Sequence, residues 1–368
     1  MINLYGLDRS ALEALFVEQG QQAFRGRQLM KWVYHQGRTD FTAMTDLSLS
    51  MRQWLADNTC FELPRVESFR VSKDGTCKWL LDVGNGNLVE TVLIPEKNRN
   101  TLCVSSQVGC MLDCSFCSTG KQGFSGNLPA AFVVGQMVLA NNMLAEKNQR
   151  VSNVVMMGMG EPLLNFDAAV SATNIFMDDL AFGLSKRRVT LSTAGVVPAI
   201  YELAKVSDVA LAVSLHAPTD DLRDQLVPIN RKYPIKELLD ACRHYVDQLG
   251  EKRMLVIEYT LMRGVNDQHE HAVALAELLR DVRCKINLIP FNPFPASGYQ
   301  KPYRRDIYNF QTYLMKQGYA TMLRTTRGDD IEAACGQLVG QVKDRTKRQS
   351  RYLARVKADG NNFVAQTT

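Results

Sequence analysis

From about residue 99 onward, short apolar runs alternate with amphipathic stretches, and this alternation restricts the fold more than any other feature of the chain. The runs are Thr101–Ser105, Asn153–Met157, Val189–Ser192, Val209–Leu215, Met254–Thr260 and Lys285–Pro290. Helical periodicity falls near 130–145, 167–180, 197–206, 235–248, 268–282 and 304–317. Strands that alternate with helices pair in parallel through right-handed crossovers. Six such units predict an α/β core built as a partial barrel, although the pattern alone fits an open doubly wound sheet as well. In a barrel the reactive residues gather at the C-terminal ends of the strands.

Three cysteines follow the first run, in Cys110-Met-Leu-Asp-Cys114-Ser-Phe-Cys117, with no fourth close by. Structural zinc takes four closed ligands. A disulfide framework does not suit 368 residues carrying nine scattered cysteines, which fit a reducing, cytoplasmic setting instead. Three thiolates on a short loop suit three irons of a cubane cluster, with the fourth iron open to a chelating ligand. Spacing alone leaves zinc and incidental cysteines as alternatives. At 46% hydrophobic, the chain can bury a large core in one or two domains. A formal charge of +5 is compatible with a nucleic-acid partner without requiring one. The start, Met1-Ile-Asn-Leu-Tyr-Gly6, lacks the basic and apolar regions of a signal peptide, and no run is long enough to span a membrane.

Residues 1–65 read as helical. Ser10-x-x-Glu13 predicts a capping box ahead of Leu12, Leu15 and Phe16, with Gly20 as the stop. A second pattern holds Phe24, Leu29, Trp32 and Val33, and a third Met51, Trp54 and Leu55. Arg25, Arg27 and Lys31 make one side basic, either a solvated face or a surface for RNA. Residues 66–95 alternate with period two around the turn Gly84-Asn-Gly86-Asn. Glu90 lies inside the last of these strands, where an acid most often faces solvent. Gly158-Met-Gly160-Glu161-Pro162 reads as a tight turn with room for a ligand. Ser192 fits a helix cap, Ser214, Leu215 and His216 end a strand, and Asn292 sits in a stiff proline-rich turn. Cys103 and Cys335 each read as a structural thiol. Residues 343–357 carry seven Lys/Arg and one acid, a run that is commonly solvated and can also meet phosphates.

The text around the cysteines, Gln107-Val-Gly-Cys110-Met-Leu-Asp-Cys114-Ser-Phe-Cys117-Ser-Thr-Gly120, resembles the radical S-adenosylmethionine (SAM) enzymes. Within them it is similar to the RlmN/Cfr family of RNA adenosine methyltransferases, and the flanking sequence favours the carbon-2 branch. The resemblance implies a partial (β/α)6 barrel over residues 96–342, an RNA-binding helical accessory domain over 1–65, a β extension over 66–95 and a basic tail over 343–368. It implies a [4Fe-4S] cluster on Cys110, Cys114 and Cys117, and two SAM per turnover. SAM contacts carry over onto Gly160, Glu161, Ser192, Ser214, Leu215, His216 and Asn292. Cys335 would carry the methyl group, a step that a lowered thiol pKa assists. Cys103 would resolve the product and Glu90 would act as general base. The implied substrates are 23S ribosomal RNA and transfer RNA, with a reducing partner such as flavodoxin and a monomeric, cytoplasmic enzyme. The rival readings are a carbon-8 methyltransferase and a non-catalytic iron–sulfur or zinc RNA-binding regulator.

Overall fold

The computed structural model describes residues 1–365, with side chains through residue 357. Ten strands form one sheet: β1 Arg65–Val71, β2 Cys77–Asp82, β3 Leu88–Glu96, β4 Arg99–Cys103, β5 Asn153–Met156, β6 Val189–Thr193, β7 Ala210–Ser214, β8 Leu255–Leu261, β9 Cys284–Pro290 and β10 Thr321–Leu323. They lie in the sheet in chain order. β1 to β4 are antiparallel neighbours. From β4 to β10 every pairing is parallel. The six runs expected as strands are β4 to β9. β10 is an additional parallel strand of three residues; Met322 and Leu323 are exposed, so it leaves no apolar run in the text. The β extension is continuous with the parallel strands, because β3 pairs with β4 from Val92–Cys103 to Glu96–Arg99.

Burial explains the strand composition. β8 is buried at every position, as a strand covered on both faces must be. Helices Ala130–Ala145, Phe166–Met177, Val197–Val206, Ile235–Gln248, His269–Leu278 and Arg304–Lys316 follow their strands close to the expected ranges. Each sends an apolar stripe into the core, such as Leu238, Leu239, Cys242, Tyr245 and Val246.

Three helices, Arg9–Glu18, Phe24–Tyr34 and Leu49–Asn58, precede the sheet. Leu12, Leu15, Phe16, Leu29, Met30, Val33, Met51 and Leu55 are buried there. The first helix is capped by Asp8, not Ser10. Ala11 N–H donates to Asp8 Oδ1 at 3.0 Å, and the Ser10 hydroxyl donates to the same oxygen at 2.7 Å. Both residue types cap well, which is why the text misplaces the start by two positions. Glu13 instead pairs with Arg27 at 3.2 Å. Phe24 is exposed, outside the apolar stripe assigned to it. Arg9 joins this helix to the barrel, its Nε donating to Asp178 Oδ2 at 2.8 Å. Among the described residues no helix is long and apolar enough to cross a membrane.

The loops above β6 and β7 are held by one buried cation. Arg223, on the short helix Asp220–Leu226, is fully buried. It donates to the carbonyls of Leu215 (3.1 Å), Ala194 (2.6 Å) and Ser214 (3.1 Å) and to Asn230 Oδ1 (2.8 Å). Burial lowers its pKa to about 10, so it remains charged at neutral pH. Arg223→Ala leaves three carbonyls without this donor and is expected to cost about 3–5 kcal/mol, read as a fall in the urea midpoint at unchanged slope.

Candidate active site

The cysteine loop leaves β4 through a small hairpin, Gln107–Gly109 paired with Phe124–Asn127. Cys110 N–H donates to Gly123 O at 2.8 Å and Ser115 N–H to Leu226 O at 3.0 Å, which pins both ends of the loop. Cys110, Cys114 and Cys117 line one cavity of about 160 Å³ together with Gly160, Glu161, Ser192, Ser214, His216 and Cys335. These residues come from the loops after β4, β5 and β7, from the C-terminal ends of β6 and β7, and from a strap over residues 328–341. Among the described residues, no three His, Cys, Asp or Glu side chains converge as a single ion requires. Three cysteines on one loop that share a cavity suit three irons of a cubane, whereas structural zinc takes four closed ligands. Burial and the neighbouring Cys117 push the Cys114 thiol up to about 12, so the positive charge of bound iron is what would hold it as a thiolate.

The cavity wall is stiff. Gly160 has φ of +104°, and a Cβ there would meet the Gln107 side chain at 2.5 Å. Glu161 Oε2 accepts from Ala194 N–H (2.7 Å) and Oε1 from Leu163 N–H (3.1 Å). Burial nonetheless pushes its carboxyl up to about 7. His216 Nδ1 accepts from Thr260 N–H at 2.9 Å, which places the remaining ring proton on Nε2. Burial pulls His216 down to about 3, so the ring is neutral. Phe116 of the cysteine loop meets it edge-on, centroids 4.6 Å apart.

The strap carrying Cys335 is bonded to the cysteine loop. Ser118 N–H donates to Gly336 O (2.8 Å) and Thr119 Oγ1 to Leu338 O (2.9 Å). Gln122 and Gly340 exchange two bonds of 2.7 and 3.0 Å. A Cβ on Gly340 would lie 2.0 Å from Leu88 O, so this crossing accepts only glycine. On the strap's other side is a buried ion pair: Lys78 Nζ lies 2.8 Å from Glu90 Oε1, with both side chains 7% exposed. Lys78 also donates to Glu332 O (3.2 Å), and Val339 N–H donates to Glu90 Oε2 (2.8 Å).

Comparison with known proteins agrees with this geometry. Residues 2–61 match the ribosomal RNA large subunit methyltransferase N-terminal domain, and residues 104–276 match the radical SAM superfamily. The dual-specificity RNA methyltransferase RlmN of Pseudomonas putida strain W619 is 58% identical over 357 residues, 96% of this chain and 94% of that protein. The chain belongs to the RlmN family. The RlmN of P. putida strain GB-1 matches with the same figures. The crystal structure of a radical SAM methyltransferase from Sphaerobacter thermophilus superposes with a TM-score of 0.83 at 43% identity, over 92% of this chain and 99% of that one. As a member of the RlmN family this chain is a SAM-dependent methyltransferase of the radical SAM class, and the family implies SAM and a [4Fe-4S] cluster.

Not every residue assigned to the site of this RlmN-family chain lies on the cysteine-lined wall. Leu215 is buried beneath it, with its N–H given to Glu258 O and its carbonyl to Arg223. Asn292 borders a second, larger cavity and holds the strap, donating to Cys335 O at 3.1 Å and accepting from Thr326 at 3.0 Å. Glu90 borders neither cavity, and both its oxygens are engaged within the protein. Cys103, at the end of β4, is half-buried; burial and the nearby Cys335 push it up to about 12. Cys335 is open to both cavities, yet desolvation raises its pKa despite Arg324. That direction is opposite to the lowered thiol pKa that would assist methyl transfer. All nine cysteines are free.

Two residues passed over in the text support the site. Lys78 was legible, since an antiparallel hairpin about Gly84–Asn87 places Lys78 opposite Val92 and so diagonally across from Glu90 on the same face. Arg348, in the basic run, turns inward. Its guanidinium donates to the carbonyls of Cys110 (2.7 Å), Leu112 (2.9 Å), Met111 (3.2 Å) and Gly120 (3.2 Å). Its text reads only as one more cation in a charged run.

Two outcomes are expected. Burial holds the Glu90 carboxyl above its ordinary 4.5 while Lys78 pulls it down. Lys78→Met removes that pull, so the native pKa climbs further above the unfolded one and stability falls as pH rises past 4.5. Urea unfolding should show a loss of about 3–5 kcal/mol near pH 8 and a smaller loss near pH 5, largely restored by adding Glu90→Gln. An equal loss at both pH values would contradict this. Arg348→Ala should leave the fold intact but speed loss of the 400 nm iron–sulfur absorbance to a chelator about tenfold.

Proposed function

We propose that this chain methylates carbon 2 of adenosine in 23S ribosomal RNA, at the peptidyl-transferase centre, and in transfer RNA, at adenosine 37. The observation that carries the reading is that Cys335 faces the cavity lined by Cys110, Cys114 and Cys117. Kinship at 58% identity with enzymes named dual-specificity RNA methyltransferases supports the substrate class.

Carbon 2 of adenine is not a nucleophile, so the methyl group must arrive as a carbon radical. Cys335 first takes a methyl from SAM and gives up its thiol proton. Cys110, Cys114 and Cys117 would hold the cluster, whose one-electron chemistry on a second SAM would supply a 5′-deoxyadenosyl radical when both are bound. The methyl of Cys335 would yield its hydrogen atom to that radical, giving 5′-deoxyadenosine; its carbon then bonds to carbon 2, and the adduct returns one electron to the cluster. Gly160, Glu161, Ser192, Ser214, Leu215, His216 and Asn292 position SAM, with Glu161 offering a carboxylate to its ammonium group. Glu90 removes the carbon-2 proton, a role that requires it to leave Val339. The Cys103 thiolate attacks the Cys335 sulfur and breaks its bond to the transferred carbon, which takes up a proton to become the methyl of 2-methyladenosine; the disulfide left behind is reduced by cellular thiol. Its raised pKa makes that thiolate scarce until Cys335 is engaged. A flavodoxin-type donor supplies electrons, and the enzyme works as a cytoplasmic monomer.

Nucleoside mass spectrometry of RNA treated with reconstituted protein, SAM and reductant tests this. 2-Methyladenosine should form with the intact chain and be undetectable with Cys335→Ala. Formation of 8-methyladenosine would move the chain to the carbon-8 branch, and no methyladenosine despite SAM cleavage would defeat the substrate assignment.

A further inference from the structure

A second cavity of about 450 Å³ is walled by residues of β3 to β6 and β8 to β10 and of the segments beside them. Met157, Glu258, Ile289 and Cys335 face both this space and the cysteine-lined one. Arg99, Arg187, Arg188, Lys285, Arg324 and Arg327 line the larger cavity against two acids, Glu96 and Glu258.

Glu258 on β8 stands in register with Asn287 on β9, and both are buried, 3% and 6% exposed. Asn287 Nδ2 donates to Glu258 Oε1 at 2.8 Å. That bond fixes the orientation of the amide. It leaves Glu258 Oε2 and Asn287 Oδ1 as two buried acceptors on adjacent strands, each without a partner among the described residues. Arg324 is near enough to oppose the desolvation of Glu258 but gives Oε2 no hydrogen bond. Unfilled buried acceptors are costly, and neither oxygen meets the open cavity at rest, so a group presenting N–H donors reaches them by displacing the side chains that cover them.

An exocyclic aromatic amine carries two N–H donors on one atom. The pair borders the cavity with the cationic walls, and cations there can take the phosphates of a strand whose base is turned inward. Cys335 lies at the same boundary. Resting on the reading of the chain as an RNA adenine methyltransferase, we propose that Glu258 and Asn287 bind the 6-amino group of the target adenine and set the enzyme's choice of base. A 6-oxopurine would put a carbonyl oxygen against two acceptors and be rejected.

The test compares RNA hairpins carrying adenosine, inosine or purine riboside at the target position. The reconstituted wild type is expected to use adenosine about ten- to a hundredfold better than either analogue, by kcat/KM. Glu258→Gln should lose about that factor on adenosine and narrow the adenosine-to-inosine ratio, because the amide can donate to a 6-oxo group. SAM affinity, by equilibrium dialysis, should stay within about twofold. A wild type indifferent to loss of the amine overturns the proposal without any variant. So does an unchanged base ratio in Glu258→Gln, or a matching loss of SAM affinity, which would make Glu258 a SAM contact. Failure of the parent reading looks different: the wild type would form no methyladenosine from the adenosine hairpin, and the proposal would fall with it.

Discussion

The Lys78–Glu90 pair, sealed between β2, β3 and the strap, is the interaction on which the arrangement at Cys335 depends. Two opposite charges out of water are stable only with further hydrogen bonds, and the strap supplies these from Glu332 and Val339. The pair therefore does more than neutralise itself. It grips the strap on either side of Cys335, while Gln122 and Asn292 hold it from the cysteine loop and from the loop after β9. A thiol on a free loop would sample many positions. This one is confined to the boundary between two cavities.

That boundary resolves a chemical conflict. A radical site must exclude water and stray hydrogen donors, whereas a nucleic acid needs a charged, open approach. On the proposed function, the smaller cavity offers a radical few hydrogen donors, being lined by Phe116, Phe291 and a neutral His216. The larger meets the second with arginines and a lysine. Cys335, one of four side chains that reach both spaces, lets each keep its own character.

Much of the fold was readable because its signal is local. β4 to β9 and their helices follow from periodicity alone, and β8 shows why: a strand buried on both faces is predominantly apolar. β10 was not readable, since three residues leave no period to detect. The cysteines and the glycine turn after β5 were visible because spacing itself carries the chemistry. Glu258 and Asn287 were hidden for the opposite reason. Each sits in a mostly apolar run, and their meaning arises only when β8 and β9 come into register. Arg348 was misread because a cation in a charged run carries no local sign of the carbonyls it will meet.

The strictly sequential order of the sheet bears on how the chain comes together during synthesis. Every strand pairs with the one made just before it, so loop-closure costs stay small and the sheet can grow from its N-terminal edge as the chain emerges. The cysteine loop departs from that rule. Its partners on the strap lie 218 and 219 residues further along, and Arg348 lies 238 residues beyond Cys110. The barrel can thus be largely assembled while its reactive loop is still unclamped, and a cluster would have its widest access in that interval, before the last residues close over it.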